Sequence, residues 1–348
     1  MEGDIKVLLV DDSGLMRLIL SDILNSEPGI TVVDTAENGR VAVQKAKVLN
    51  PDVILLDMNM GRYDGLYAVE NILKRQKIPI IILSALGNSN LDPILEALKL
   101  GALDYLNKPE KNKAKVREIS AVIVQKVRAA AESNKKLLSA NYSKIKVNNN
   151  EHTFNKKSNY DVIVIGASTG GPTAIERIVT KFPSNLPIPV IITQHMPANF
   201  VPSFAKRLNA LTPLEVKIGR RDDVLVPGRI IVAPGSRNMI VKRNELDKVV
   251  VDFTSTQYKE FNNPSINALM LSVANVYGKR VIGAILTGMG KDGADGLEAI
   301  YKADGYTIGQ DEKSSVVYGM PREVAERNVI RNSVPIRDMA GFIVSCLS

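Results

Sequence analysis

Two sets of strand ends in this chain carry residues able to do chemistry, and the chemistry differs. Val7-Leu8-Leu9-Val10 runs into Asp11-Asp12-Ser13, and the apolar run Val53-Ile54-Leu55-Leu56 ends in Asp57. Converging carboxylates repel one another unless a cation neutralises them, and an all-oxygen donor set favours Mg²⁺. Ser84 closes Pro79-Ile80-Ile81-Ile82-Leu83, and Lys108 precedes Pro109 after a further short apolar run. A hydroxyl and an ammonium at that edge complete a phosphate-sized pocket, with Asp57 as nucleophile, because a carboxylate can form an acyl phosphate. Farther on, Val162-Ile163-Val164-Ile165 runs into Gly166-Ala167-Ser168-Thr169-Gly170-Gly171. Gly-x-Ser-x-Gly has the form of a nucleophile elbow, in which glycines permit a tight strand-to-helix turn that exposes the hydroxyl.

A serine nucleophile needs a base, and the chain has only two histidines. His152 stands in a polar stretch, whereas His195 ends the apolar run Ile191-Ile192-Thr193-Gln194, at the same sheet edge as Ser168. A third residue should orient the imidazole and stabilise its charged form. Asp292 follows the strongly apolar run 281–286 and is the leading candidate; Asp295 lies close by, and spacing alone separates the two poorly. The order Ser168, His195, Asp292 differs from the Ser, Asp, His order of α/β-hydrolases. A dinucleotide fingerprint is the rival reading of the glycines. Its middle glycine is replaced here by Ser168, and the next strand ends in His195 rather than a ribose-binding acid.

Parallel strands covered by helices must bring these ends together. Residues 1–130 alternate apolar runs at 5–10, 30–34, 52–56, 79–83 and 103–106 with helical patterns near 14–25, 38–49, 65–75, 90–100 and 111–131. That repeat predicts an α/β domain of flavodoxin-like size with a five-stranded parallel sheet, whose sites lie at strand carboxyl ends. From Tyr160 a second α/β pattern predicts strands at 161–165, 188–193, 229–233, 239–242, 248–252, 281–286 and 306–309. Helices are predicted at 171–181, 198–209, 265–277, 293–303 and 320–327. The runs between 229 and 252 read as a short antiparallel excursion from a doubly wound, mainly parallel sheet. The expected organisation is a first domain over 1–132, a linker over 133–159 and a second domain over 160–348.

Composition removes several alternatives. Hydrophobic residues at 45% and charged residues at 24% fit a globular protein, and no apolar run approaches the roughly 20 residues of a membrane span. An acidic start followed by a strand is not a secretory signal, and the single cysteine, Cys346, fits a reducing cytoplasm. The net charge of +8 owes much to six lysines against one glutamate in residues 133–158, read as a solvated linker, with weak attraction to an acidic partner or membrane surface as the alternative. Tryptophan is absent and aromatics make up only 5%, so no stacking platform for nucleic acid stands out and no nucleic-acid partner is expected.

The set Asp11, Asp12, Asp57, Ser84 and Lys108 resembles the receiver domain of two-component response regulators over residues 4–130. The resemblance implies that Asp11, Asp12 and Asp57 hold Mg²⁺, that Asp57 is phosphorylated, and that Ser84 and Lys108 sense the phosphoryl group. Tyr105 stands where such domains often carry an aromatic residue that changes rotamer on activation, and Gly61 stands one residue after Met60, where proline is common. Both domains in order resemble the bacterial chemotaxis response regulators that are protein-glutamate methylesterases and protein-glutamine glutaminases. The second half of that likeness rests on Ile165–Gly171, Thr193-Gln194-His195-Met196-Pro197, Leu286-Thr287-Gly288-Met289-Gly290 and Tyr318-Gly319-Met320-Pro321-Arg322. It implies Ser168 as nucleophile, His195 as base, Asp292 as orienting acid and the Met289 backbone N–H as oxyanion donor. It further implies methyl-accepting chemotaxis receptors as substrates, a chemotaxis histidine kinase as phosphodonor, and a receiver that restrains the esterase until Asp57 is phosphorylated. Two segments depart from the pattern. Ser236-Arg237-Asn238 lacks the usual acid and histidine, and Asn263-Pro264-Ser265-Ile266-Asn267 stands where Arg-Pro-Ser followed by an aspartate is usual. The altered loops make a nonenzymatic, phosphorylation-controlled receptor-binding adaptor the alternative.

Overall fold

The computed structural model describes residues 3–84, 92–108, 113–133, 137–138, 151–154, 158–258 and 264–348. The chain divides into two compact units, Met1–Ser143 and Lys144–Ser348. Most of the 133–159 stretch, and Asn263, lie outside the described residues. At its start, Ser133 and Leu138 are buried in the first unit. Near its end, the backbone N–H of His152 donates to Asn185 Oδ1 in the second unit at 3.0 Å.

The first unit runs β1 (Ile5–Val10), α1 (Gly14–Asn25), β2 (Ile30–Ala36), α2 (Gly39–Leu49), β3 (Val53–Asp57), α3 (Gly65–Leu73), β4 (Ile80–Ser84), α4 (Asp92–Leu100), β5 (Asp104–Asn107) and α5 (Lys113–Ala131). Its five strands form one parallel sheet in the order β2-β1-β3-β4-β5. Every residue of β3 and β4 is buried, as expected where helices cover both faces of a parallel sheet. Side-chain oxygens of Ser13, Asn38 and Asp64 accept backbone N–H groups at the starts of α1, α2 and α3, which fixes where these helices begin. The chain winds outward from β1 in both directions, and the crevice between β1 and β3 is where such a sheet places a site.

The second unit contains β6 (Val162–Ala167), α6 (Gly171–Val179), β7 (Val190–Gln194), α7 (Val201–Leu211), β8 (Glu215–Ile218), β9 (Arg229–Val232), β10 (Asn238–Arg243) and β11 (Val249–Thr254). It continues with α8 (Ile266–Tyr277), β12 (Val281–Ile285), α9 (Ala294–Lys302), β13 (Tyr306–Gln310), α10 (Met320–Glu326), β14 (Asn332–Val334) and α11 (Met339–Ser345). Seven strands form a parallel sheet in the order β14-β13-β12-β6-β7-β9-β8, and β10 pairs antiparallel with β11. The antiparallel excursion is therefore narrower than the sequence pattern predicts, because β9 joins the main sheet between β7 and β8. Strands β8 and β14 escape the apolar pattern because they are sheet edges. Glu215-Val216-Lys217-Ile218 is half-exposed, and Asn332-Ser333-Val334 has one apolar residue.

Central strands β6, β7 and β12 are wholly buried. Burying each such Val or Ile side chain stabilises by about 1.5–3 kcal/mol, so the sheet centre carries much of this unit's hydrophobic stabilisation. Gly166 pairs with Thr193 on one side and Ile285 on the other, which brings the ends of β6, β7 and β12 to one edge. Backbone bonds continue past the strands: Ser168 N–H donates to Thr287 O at 3.1 Å, and His195 N–H donates to Ala167 O at 3.0 Å. Three loops are thereby tied in register.

Candidate active site and phosphoacceptor site

Ser168 sits one residue past β6, before a turn in which Gly170 takes φ +75 and opens α6. That left-handed conformation is strained for residues with a Cβ, which explains the glycine. Ser168 is 8% exposed, accessible at one face only. Its Oγ lies 3.1 Å from His195 Nδ1, and His195 Nε2 lies 2.7 Å from Asp292 Oδ2. A hydroxyl, an imidazole and a carboxylate from three loops form one continuous hydrogen-bonded chain. Asp295 is not part of it; its carboxylate pairs with Arg327 at 2.7 Å on α9.

Asp292 is held by more donors than the sequence indicates. Its oxygens accept from Ser265 Oγ at 3.1 Å, Ile266 N–H at 2.7 Å, Asn267 N–H at 2.9 Å and Gly293 N–H at 3.0 Å. The first three come from the start of α8, where unpaired N–H groups and the helix dipole favour an anion. Burial pushes the Asp292 carboxyl upward, but His195 and these N–H groups outweigh it, so its pKa falls below the ordinary value. An ionised Asp292 can only accept, so His195 Nε2 carries the proton and Nδ1 keeps a lone pair for the Ser168 hydroxyl. The two ring nitrogens exchange the roles they have in chymotrypsin-type proteases.

Further residues that sequence reading passes over hold this group in place. Asn238, a position of departure from the family pattern, accepts Ser265 N–H on Oδ1 at 2.8 Å and donates from Nδ2 to Thr256 O at 3.1 Å. Asn267, the other, accepts Gly296 N–H on Oδ1 at 2.8 Å and so joins α8 to α9. Both amides keep the acceptor oxygen that these contacts need. Gln194 Nε2 donates to Ser168 O at 2.9 Å, and Thr287 Oγ1 donates to Thr169 O at 3.0 Å. The signal available in the sequence was Ser265, a good N-cap immediately before an apolar run.

Met289 is half-exposed on the loop after β12. The neighbouring Gly288 packs so closely that an added Cβ would stand 2.7 Å from Ser168 Cβ and 2.5 Å from Met320 Sδ. Gly288 O accepts the N–H groups of Gly319 and Met320 at 3.1 and 2.8 Å, so the 318–322 segment braces the loop against the serine.

In the first unit, oxygens of Asp11, Asp12 and Asp57 lie within 4.8 Å of one another. Asp11 and Asp57 are buried and Asp12 is exposed. Lys108 Nζ reaches Asp11 Oδ2 at 2.7 Å and Asp57 Oδ2 at 2.8 Å. Burial lowers the Lys108 pKa, but its two carboxylate partners outweigh that and hold it above its ordinary value. Burial also dominates at Asp57, whose carboxyl is pushed up despite Lys108. One ammonium therefore leaves the carboxylates under-neutralised, and this all-oxygen donor set fits a hard divalent cation such as Mg²⁺. Ser84 is fully buried at the end of β4, where Lys108 N–H donates to its backbone oxygen at 2.7 Å. Tyr105 is buried on β5.

Comparison with known proteins finds the same two kinds of domain in the same order. The family described as CheB methylesterase matches residues 163–343, and the response regulator receiver domain matches residues 7–120. The protein-glutamate methylesterase/protein-glutamine glutaminase 2 of Methanosarcina mazei is 40% identical, covering 99% of this chain and 96% of that protein. The corresponding enzyme of Archaeoglobus fulgidus is 40% identical over 98% of both chains. The crystal structure of the Thermotoga maritima CheB methylesterase catalytic domain superimposes with a TM-score of 0.53 at 31% identity, covering 54% of this chain and 99% of that one. Receiver domains in general bind Mg²⁺ for phosphorylation and imply a kinase as phosphodonor, and a methylesterase of this kind implies a chemoreceptor substrate. The chain belongs to the chemotaxis family of protein-glutamate methylesterases/protein-glutamine glutaminases, hydrolases in which a response-regulator receiver precedes the catalytic domain.

Proposed function

We propose that Ser168, His195 and Asp292 carry out the hydrolysis and that phosphorylation of Asp57 turns it on. The observation that carries this reading is the unbroken chain from Ser168 Oγ through both nitrogens of His195 to Asp292. Ser168 attacks the carbonyl of a γ-glutamyl methyl ester on a methyl-accepting chemotaxis receptor, and its proton passes to His195 Nδ1. Asp292, already ionised, stabilises the imidazolium through Nε2. The developing oxyanion is met by the Met289 backbone N–H, an interaction worth on the order of 10²–10³ in turnover. His195 then returns the proton to the departing methoxide, which leaves as methanol. Water, deprotonated by the same nitrogen, releases the glutamate and restores Ser168. A glutamine amide follows the same course and leaves as ammonia, with protonation by His195 mattering more because the leaving group is poorer.

In the receiver, Asp11, Asp12 and Asp57 hold Mg²⁺, and Asp57 accepts the phosphoryl group from a chemotaxis histidine kinase. Bound Mg²⁺ supplies positive charge against the incoming phosphoryl oxygens. Lys108, freed from its shared carboxylates, and the Ser84 hydroxyl then face the new phosphoryl group. None of the described helices is long and apolar enough to cross a membrane; we assign the enzyme to the cytoplasm, acting on receptors from that side without inserting into the bilayer.

The direct test is methanol release from methylated receptor membranes, with and without a phosphodonor and Mg²⁺. Ser168→Ala should lower release by on the order of 10⁵–10⁶ while Asp57 phosphorylation persists. Deleting residues 1–150 should raise basal esterase activity. Unchanged release in the serine variant would leave the nonenzymatic adaptor as the better reading, and an unchanged basal rate in the deletion would reject restraint by the receiver.

A further inference from the structure

A cavity of about 550 Å³ shares a wall residue, Asn238, with the network that holds Asp292, and the two charged side chains in its lining are arginines. Arg221, Arg237, Asn238, Phe253, Thr256 and Tyr258 are among its walls. Two features connect it to the reacting groups. Asn238 is hydrogen-bonded to Ser265, which donates to Asp292. Tyr258, also in the lining, has its phenol pushed upward by burial first and then by the Asp292 charge. A volume in this range accommodates a side chain or a small ligand.

The charges in this cavity do not cancel. Asp252 pairs with both Arg221 and, at 2.6 Å, Lys242, so one carboxylate serves two cations. Arg237 makes no ion pair with any described residue. Its guanidinium instead sits 5.8 Å from the centre of the Phe253 ring. Stacking on an aromatic face fixes the plane of a guanidinium while leaving its N–H donors free for a carboxylate. Thr254, Ser255 and Thr256 line the same cavity, and Asn238 holds this segment through Thr256 O. Such an arrangement would recognise a planar anion and gain little from a neutral ester or amide.

We propose that this cavity is a carboxylate subsite, in which Arg237, with Arg221 in the same lining, receives a free acidic side chain of the receptor helix that carries the ester being cleaved. The inference rests on the Ser168 esterase reading for the identity of the substrate. It adds a consequence. Hydrolysis turns a neutral ester into a carboxylate, so a neighbouring position already processed becomes the ligand that draws the next ester to Ser168. Sites close together on one receptor helix would then be demethylated in a preferred order.

Two synthetic helical peptides test this, each with one γ-methyl glutamate and either glutamates or glutamines three and four residues away. Full-length enzyme with phosphodonor and Mg²⁺ should favour the acidic peptide by about tenfold in kcat/KM, mainly through KM, as charge-assisted hydrogen bonds to one guanidinium provide. Arg237→Gln should bring the ratio close to one, and Arg237→Lys should retain part of it. Calorimetric binding of the corresponding unesterified peptides to Ser168→Ala gives a readout independent of turnover, with the same preference expected and the same loss when Arg237→Gln is added. Equal hydrolysis of both peptides, or a preference that survives Arg237→Gln, would overturn the subsite and leave the esterase standing. Binding preference without any methanol release would do the opposite, and absence of both would remove the subsite as well.

Discussion

Asp57 and Asp292 are the same residue type, both nearly inaccessible, and both lie at the carboxyl edge of a parallel sheet near its switch point. Their surroundings drive them in opposite directions. Asp57 receives one ammonium and the N–H of Asn59, and it faces the negative charge of Asp11. Asp292 receives a helix start, a serine hydroxyl and an imidazole, with no acid against it. Burial raises the first carboxyl and fails to raise the second. Donor count, not depth, decides the sign. An under-neutralised carboxylate is suited to take up a metal ion and a phosphoryl group. A saturated one is suited to hold an imidazole still and remain ionised throughout a reaction.

The comparison breaks most visibly at Asp292→Asn. The amide keeps the shape but can present N–H to His195 Nε2, which forces the wrong tautomer and leaves no lone pair for Ser168. Turnover should fall by about 10⁴, measured as methanol release, with substrate binding little changed. The charge also has a pH signature. Because the folded Asp292 pKa lies below the ordinary 3.8, its contribution to stability is complete above that value and is lost as pH falls through the lower folded one. Acid unfolding of the wild-type second unit should therefore show an Asp292-dependent step that the variant lacks.

A smaller loss is expected at Gly288→Ala. A Cβ there would collide with Ser168 and Met320, so the loop must retreat and carry the Met289 N–H away from the oxyanion. A fall of roughly 10²–10³ in kcat, with KM nearly constant, would sharpen the assignment of Met289. An unaffected kcat would exclude it.

Asp57→Asn should have the smallest effect on folding, despite removing an ion pair. A raised folded pKa means that the ionised form is disfavoured by the fold, so stability falls as pH rises through that pKa. The neutral amide should leave the thermal midpoint of the receiver unchanged or raise it by roughly 2–4 °C. It should also abolish phosphoryl uptake and the stabilisation that added Mg²⁺ gives the wild type. A marked drop in midpoint would show that the Lys108 pair outweighs burial and that Asp57 and Asp292 do not differ in sign.

Much of the fold was legible along the chain because buried parallel strands read as continuous apolar runs. Strands β1, β3 and β4 of the receiver and the central strands of the second sheet follow that rule. Edge strands β8 and β14 do not, since solvent on one side removes the selection for apolar residues. Chemistry followed the same division. Ser168, His195, Asp11 and Asp57 stand at or just after the ends of apolar runs, so the sequence alone locates them.

By itself, the amino-acid order determined two α/β domains, their strand ends and the residue types gathered there. These are local properties of pattern and spacing. Only the tertiary structure decided that Asp292 rather than Asp295 meets His195, that Ser265, Ile266 and Asn267 keep it charged, and that Asn238 holds them. Those contacts join residues from 25 to 97 positions apart. They depend on sheet register and on where α8 begins, and no spacing rule along the chain encodes either.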